Sequence, residues 1–149
     1  MVRSPAMLPS FYWTLLAATC GYALWKGRWD ERISALVCIA ASVISTMVLS
    51  PLATRYAQVE TGELLVDGLV LCTFVAVALR SNRFWPLWVA GLQLTSSTAH
   101  VLKSIDLGLM PEAYAAATRF WSYPILIIIA AGTWRGHQRR LREKQLGPA

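Results

Sequence analysis

Charged residues are scarce in this sequence, and most of them fall in clusters. Asp, Glu, Lys and Arg together make up 15% of the 149 residues, whereas soluble domains average about 25%. Hydrophobic residues reach 56%, and the apolar runs between the charge clusters approach the roughly 20 residues that a helix needs to cross a bilayer. This pattern excludes an ordinary soluble domain and predicts a small polytopic membrane protein.

Motifs of known catalytic or metal chemistry are also missing. The sequence has no H-E-x-x-H, no G-x-S-x-G and no glycine-rich phosphate loop, and its three cysteines lie singly inside apolar runs. Its two histidines, His100 and His137, are predicted at opposite membrane faces, so they cannot share a metal or haem. We therefore expect no catalytic residue, metal or cofactor. An enzyme stays an alternative only through Glu63, Asp67 and His100.

Five apolar runs predict an all-α transmembrane helical bundle in a single domain, with four helices as the alternative because the first and third runs are short. The predicted helices cover about 11–25, 33–53, 64–80, 84–103 and 113–134, and a basic cytoplasmic tail follows at 135–149. An open transmembrane sheet is excluded because its unpaired backbone groups would face lipid.

The basic residues predict the orientation of the bundle, because short loops rich in Lys and Arg stay in the cytoplasm. Most of them fall on one predicted side: Lys26, Arg28, Arg32, Arg80, Arg83, Arg135, Arg139, Arg140, Arg142 and Lys144. Five tryptophans fall at the same boundary, where indole rings favour the membrane interface: Trp25, Trp29, Trp85, Trp88 and Trp134. The N-terminus is therefore predicted outside, and the C-terminus inside, a plasma membrane.

One predicted membrane segment, GLQLTSSTAHVLKSID at 91–106, is unusually polar. On a helix, Gln93, either Ser96 or Ser97, and His100 share one face, because residues three and four apart lie on the same side. With a rise of about 1.5 Å per residue, His100 is expected near the outer face, level with Asp67 and Arg119. Charges in lipid are expensive unless they are paired, so we expect these three groups to lie together.

This predicted polar cluster has two interpretations. Its members are Glu63, Asp67, Gln93, Ser97, His100, Arg119 and Tyr123. A structural cluster would join the helices through hydrogen bonds and an ion pair. A functional cluster would be a ligand or proton site, in which His100 titrates, Asp67 sets its charge and Arg119 contacts an anion.

The basic tail also has two interpretations. Its cations are Arg135, Arg139, Arg140, Arg142 and Lys144. The plainer interpretation is a solvated tail that fixes topology. The other is a binding site for anionic lipid or an acidic partner, and nucleic acid is not expected.

Two segments carry a resemblance to a known family. They are RSNRFWPLWVAGLQL, followed by His100, and AYAAATRFWSYPILIIIAAGTWR. They resemble a family of small multi-pass inner-membrane proteins from alphaproteobacteria of the sphingomonad type, which has no assigned activity. The resemblance covers most of the chain after residue 10 and implies a bacterial inner-membrane location, without implying an activity or cofactor.

Two classes of function follow from the sequence. The first is a non-enzymatic accessory, assembly or interaction subunit that binds another integral membrane protein or itself. Small residues at Ala41 and Ser45, which suit close helix approach, favour it. The alternative is a small channel or proton-linked transporter that uses the outer Asp67, His100 and Arg119 cluster.

Overall fold

The chain folds into helices in the computed structural model, which describes residues 7–48, 61–105 and 120–147. The five helices are α1 (Met7–Lys26), α2 (Trp29–Val48), α3 (Thr61–Arg80), α4 (Trp85–Ile105) and α5 (Ser122–Leu146). No strand occurs in these three ranges. The predicted all-α class with five helices is therefore confirmed for the described residues.

Several helix boundaries differ from the prediction by a few residues or more, and two of these differences have a clear physical reason. Helix α2 begins at Trp29 rather than Ile33, because Asp30 and Glu31 stabilise its first turn at the positive end of the helix dipole. Helix α5 continues to Leu146 instead of ending at Trp134. The predicted tail is rich in Arg, Gln, Glu, Lys and Leu, which are good helix formers, so its charges do not end the helix.

The helices are arranged in a ring that follows chain order. Each helix packs against the next, and α5 closes the ring on α1 while also touching α2. Tyr12 contacts Tyr123, and Arg140 binds the carbonyl oxygen of Lys26, so α1 and α5 run parallel. We call the end of the bundle with Tyr12 and Tyr123 the tyrosine end, and the end with Gly27, Arg83 and Arg140 the arginine end.

An apolar core fills the middle of the ring. Every helix contributes to it: Leu16, Cys20 and Ala23 from α1, Ala35 from α2, Val70 and Phe74 from α3, Val89 and Ala90 from α4, and Ile125, Leu126 and Ile129 from α5. The side chains of Phe74, Val89, Leu126 and Ile129 are at most 1% exposed. This layer therefore separates the two ends of the bundle.

The exterior of the bundle carries many large apolar side chains. They are exposed on every described helix, including Trp25, Met47, Leu79, Trp88 and Ile127. Several charged and polar side chains are buried, among them Asp30, Glu31, Gln93 and His100. Buried polar groups of this kind need hydrogen-bonding or charged partners.

One described segment is long and apolar enough to cross a membrane by length and composition, namely Gly62–Arg80 of α3, with a mean hydropathy of 2.0. The other described helices carry polar residues that lower their hydropathy, such as Asp30 and Glu31 in α2 or Gln93 and His100 in α4. The described residues therefore support a five-helix protein with one candidate span.

Candidate functional site

Part of the predicted polar cluster lies between α3 and α4, toward the tyrosine end. His100 Nε2 lies 3.4 Å from Asp67 Oδ2, and Ser96 Oγ donates to the same oxygen at 3.2 Å. The Gln93 side chain also hydrogen-bonds to Asp67. The His100 side chain is 4% exposed and that of Asp67 is 23% exposed, so this pair lies at the inner face of the helix contact.

The spacing of the α4 residues explains this arrangement. Gln93, Ser96 and His100 are separated by three and four residues, which places them on one face, and that face packs on α3. Ser97 lies on the same side and is 8% exposed, and its Oγ has no hydrogen-bond partner among the described residues. The polar face expected from the spacing therefore packs on α3, and Ser96 is the serine that contacts Asp67.

Two further predicted members, Glu63 and Tyr123, lie within the described residues. Glu63 lies in the first turn of α3, four residues before Asp67. Tyr123 belongs to an aromatic group at the tyrosine end, where its ring lies 6.1 Å from Phe11 and 5.8 Å from Tyr12 between centroids. Arg119 lies outside the described residues, so its predicted place beside Asp67 stays a prediction.

A second polar cluster, which the sequence did not predict, lies at the arginine end. Arg83, in the short loop between α3 and α4, forms an ion pair with Glu31 through Nη1, and its Nε lies 4.0 Å from Asp30 Oδ2. Asp30 is 3% exposed and Glu31 is 1% exposed. Two adjacent carboxylates are thus buried beside one guanidinium, and we call these three residues the arginine-end knot.

Neighbouring groups satisfy the carboxylates of the arginine-end knot. Glu31 Oε2 accepts the backbone N–H of Arg28 at 2.6 Å, as the third residue of a helix does in a capping box. Ser81 Oγ donates to Asp30 Oδ2 at 3.0 Å. These bonds join the turn between α1 and α2 to the turn between α3 and α4.

Helix α5 packs directly against the arginine-end knot at Gly136. A Cβ atom at Gly136 would lie 2.7 Å from Arg83 Nη1 and 3.1 Å from Glu31 Oε1, so a glycine is needed for this approach. Burial raises the pKa of the Glu31 carboxyl, whereas the Arg28 N–H and the Arg83 guanidinium act in the opposite direction. The acidic pair in the first turn of α2 was a signal in the sequence, but only the fold reveals its partner 52 residues away.

The predicted basic tail is divided between two roles. Arg140 donates to the Lys26 carbonyl oxygen and so fastens α5 to the end of α1. Arg135 and Arg139 line a cleft of about 640 Å³ between α4 and α5, which also contains Arg83, Trp85 and Trp88. Arg142 and Lys144 are exposed further along the helix and do not line this cleft.

The three arrangements differ in what they can do chemically. The Asp67–His100 pair can hold or release a proton, because a neutral imidazole and its protonated form both hydrogen-bond to a carboxylate. The arginine-end knot is fully paired and packed, which suits a structural role. The cleft is open and carries cations, so it can accept an anion.

Comparison with protein-family models, curated sequences and solved structures gives no match to this chain. The resemblance to the alphaproteobacterial family therefore stays a prediction.

Proposed function

We propose that the protein is a multi-pass protein of a bacterial inner membrane, with all five helices spanning the bilayer, and that it acts as a non-enzymatic accessory or assembly subunit. The N-terminus is proposed outside and the arginine end in the cytoplasm. The partner is another integral membrane protein or a second copy of this chain.

The apolar exterior supports the membrane location. Trp25, Leu79 and Trp88 are 75%, 81% and 68% exposed, and burying such surfaces in lipid removes them from water. Helices α1 to α4, each of 20 or 21 residues, are about 30 Å long, which matches a hydrocarbon core of about 30 Å. Trp25, Trp29 and Trp134 gather at the basic end, as expected of a cytoplasmic interface.

Cysteine labelling in intact membranes tests the number of spans. The first variant has Cys20 and Cys38 replaced by alanine, which leaves Cys72 on the exposed surface of α3. Cys72 should resist a water-soluble maleimide, because the reactive thiolate does not form in hydrocarbon. In a chain in which Cys72 is also replaced, a cysteine introduced as Leu94→Cys on α4 or as Ile127→Cys on α5 should resist the maleimide in the same way. Both positions are exposed on the protein surface, so lipid rather than protein packing would protect them. We expect each of these cysteines to react with the maleimide on the order of tenfold more slowly in intact membranes than in SDS-denatured protein.

Leu146→Cys, at the exposed end of α5, is the matched control and should be labelled readily, from the cytoplasmic side only. Equal labelling of Leu94→Cys and Leu146→Cys in intact membranes would overturn the five-span topology.

The closed apolar core is the observation that carries the accessory role. Phe74, Val89, Leu126 and Ile129 fill the space between the Asp67–His100 pair and the arginine-end knot. A solute or proton pathway inside one chain would have to cross this dry layer, where polar groups are expensive. The interior therefore suits a stable scaffold whose exterior makes the functional contacts.

Helix α3 offers the clearest surface for such a contact. Only 17% of its candidate span is buried within the bundle. Its exposed residues Leu65, Leu69, Cys72 and Leu79 recur at helical spacing and form one stripe. Ala41, which the sequence predicted as a close-approach residue, packs against the core of its own chain and so does not mark an external surface.

Purification of the native protein in mild detergent, with partners identified by mass, tests the accessory role. We expect a stoichiometric complex that survives dilution and is lost in Leu69→Trp, because a larger side chain on the α3 stripe would prevent close packing. Leu94→Trp, on the exposed face of α4, is the matched control and should leave the complex intact. A monomer in every preparation would overturn the proposal.

A proton-linked channel or transporter is the second candidate, and the buried Asp67–His100 pair favours it. Because the core is closed, the pathway would have to run between chains. A symmetric homo-oligomer in the same purification, with proton flux that His100→Asn abolishes, would favour this candidate over the accessory role.

A further inference from the structure

We propose that the cleft between α4 and α5 binds the phosphate group of an anionic phospholipid. The cleft opens at the arginine end and is lined by three cations, Arg83, Arg135 and Arg139, and by the apolar side chains of Phe84, Trp88 and Ile128. The proposal rests on the membrane location argued above.

The charge in the cleft favours an anion. Arg83 is paired with Glu31, so the excess positive charge comes from Arg135 and Arg139. These two residues are four apart on α5, where like charges repel each other. Within the described residues, neither has a carboxylate within 4.0 Å. A bound phosphate would relieve the repulsion and offer acceptors that suit the guanidinium fork.

The apolar wall indicates that this anion belongs to a lipid. Phe84 and Trp88 are 82% and 68% exposed, and Ile128 lies about two turns before Arg135 and three turns before Arg139 on α5. The cleft thus continues from its cations onto the lipid-facing exterior. A free phosphate would use only the cationic part, whereas a phospholipid would also cover the apolar wall with its acyl chains.

The floor of the cleft is closely packed. A Cβ atom at Gly132 would lie 3.0 Å from the indole ring of Trp85, so α4 and α5 meet closely below the opening. This contact fixes the distance between the apolar wall on α4 and the arginines on α5, which reduces the ordering that binding would otherwise require.

Native mass spectrometry of the full chain in mild detergent tests the proposal. We expect phosphatidylglycerol adducts at much lower lipid concentration than phosphatidylcholine adducts. Arg135→Gln/Arg139→Gln should weaken phosphatidylglycerol binding about 30-fold, because each juxtamembrane cation contributes to anionic lipid binding. Arg142→Gln/Lys144→Gln removes the same charge from the same helix outside the cleft, and it should change binding less than about twofold.

Inorganic phosphate is the second arm of the experiment. We expect millimolar phosphate to leave phosphatidylglycerol binding unchanged. Full competition by phosphate would show a free-anion site, and equal losses in the two double variants would show diffuse attraction to the tail. Either result overturns the proposal. If the protein shows no preference for phosphatidylglycerol but Cys72, Leu94→Cys and Ile127→Cys resist the maleimide in membranes, the lipid site alone is rejected. If these cysteines are labelled readily in membranes, the proposed membrane topology is rejected.

Discussion

Replacing Arg83 with methionine should lower the free energy of unfolding by about 3–5 kcal/mol, because it leaves two buried carboxylates without their cation. Asp30 and Glu31 are nearly inaccessible, and Arg83 is the guanidinium that contacts both. The change can be measured by unfolding the purified protein in mixed micelles of increasing SDS fraction and following helix content.

Two further variants separate the lost ion pair from a general loss of charge. Arg80→Met removes an exposed cation three residues earlier and should change the free energy of unfolding by less than about 0.5 kcal/mol. Glu31→Gln/Arg83→Met should recover much of the lost stability, because the amide needs no cation and can still accept the Arg28 N–H. An Arg83→Met protein as stable as Arg80→Met would refute the structural role of the knot.

The effect of Arg83→Met should also depend on pH. Burial raises the pKa of Glu31 in the folded protein, and Arg83 acts against this rise. Removing Arg83 should therefore raise the folded-state pKa of Glu31 further, so that the folded variant binds a proton that the unfolded state releases. Lowering the pH through the folded-state pKa therefore restores stability to the variant. We expect the difference from wild type to be smaller in acid than at neutral pH.

The Asp67–His100 cluster could be predicted from the sequence because its information is local. The spacing of Gln93, Ser97 and His100 defines a polar face, and the alternating direction of successive helices brings that face level with Asp67. Helices α3 and α4 are joined by a short loop and therefore pack against each other, which brings His100 to Asp67. The hydrogen-bonding serine could not be predicted, since Ser96 and Ser97 fit the spacing equally well.

The arginine-end knot could not be predicted because its partners come from three distant parts of the chain. In the sequence, Asp30, Glu31 and Arg83 lie in loops with many cations, where charges normally face water and report only orientation. Their burial depends on how closely α5 approaches, which Gly136 permits. The same reasoning explains the tail, because helix propensity continues through residues whose charge indicated a solvated segment.

Replacing Gly27 with alanine should be the other strongly destabilising change, lowering the free energy of unfolding by about 3 kcal/mol. Gly27 and Arg28 alone connect α1 to α2. A Cβ atom at Gly27 would lie 2.2 Å from the Ala23 carbonyl oxygen and 2.9 Å from Glu31 Cβ. The first contact is with backbone that already accepts the Gly27 N–H at 2.8 Å, so it cannot move aside without opening the turn.

Gly21→Ala provides the matched control within α1, because a Cβ atom there would meet nothing within 4 Å. It should be neutral or should stabilise the helix by about 0.5–1 kcal/mol, as alanine does in helix interiors. Equal effects of the two substitutions in the same SDS titration would contradict the tight turn. Because the turn also places Glu31 against Arg83, Gly27→Ala combined with Arg83→Met should destabilise less than the sum of the two single changes.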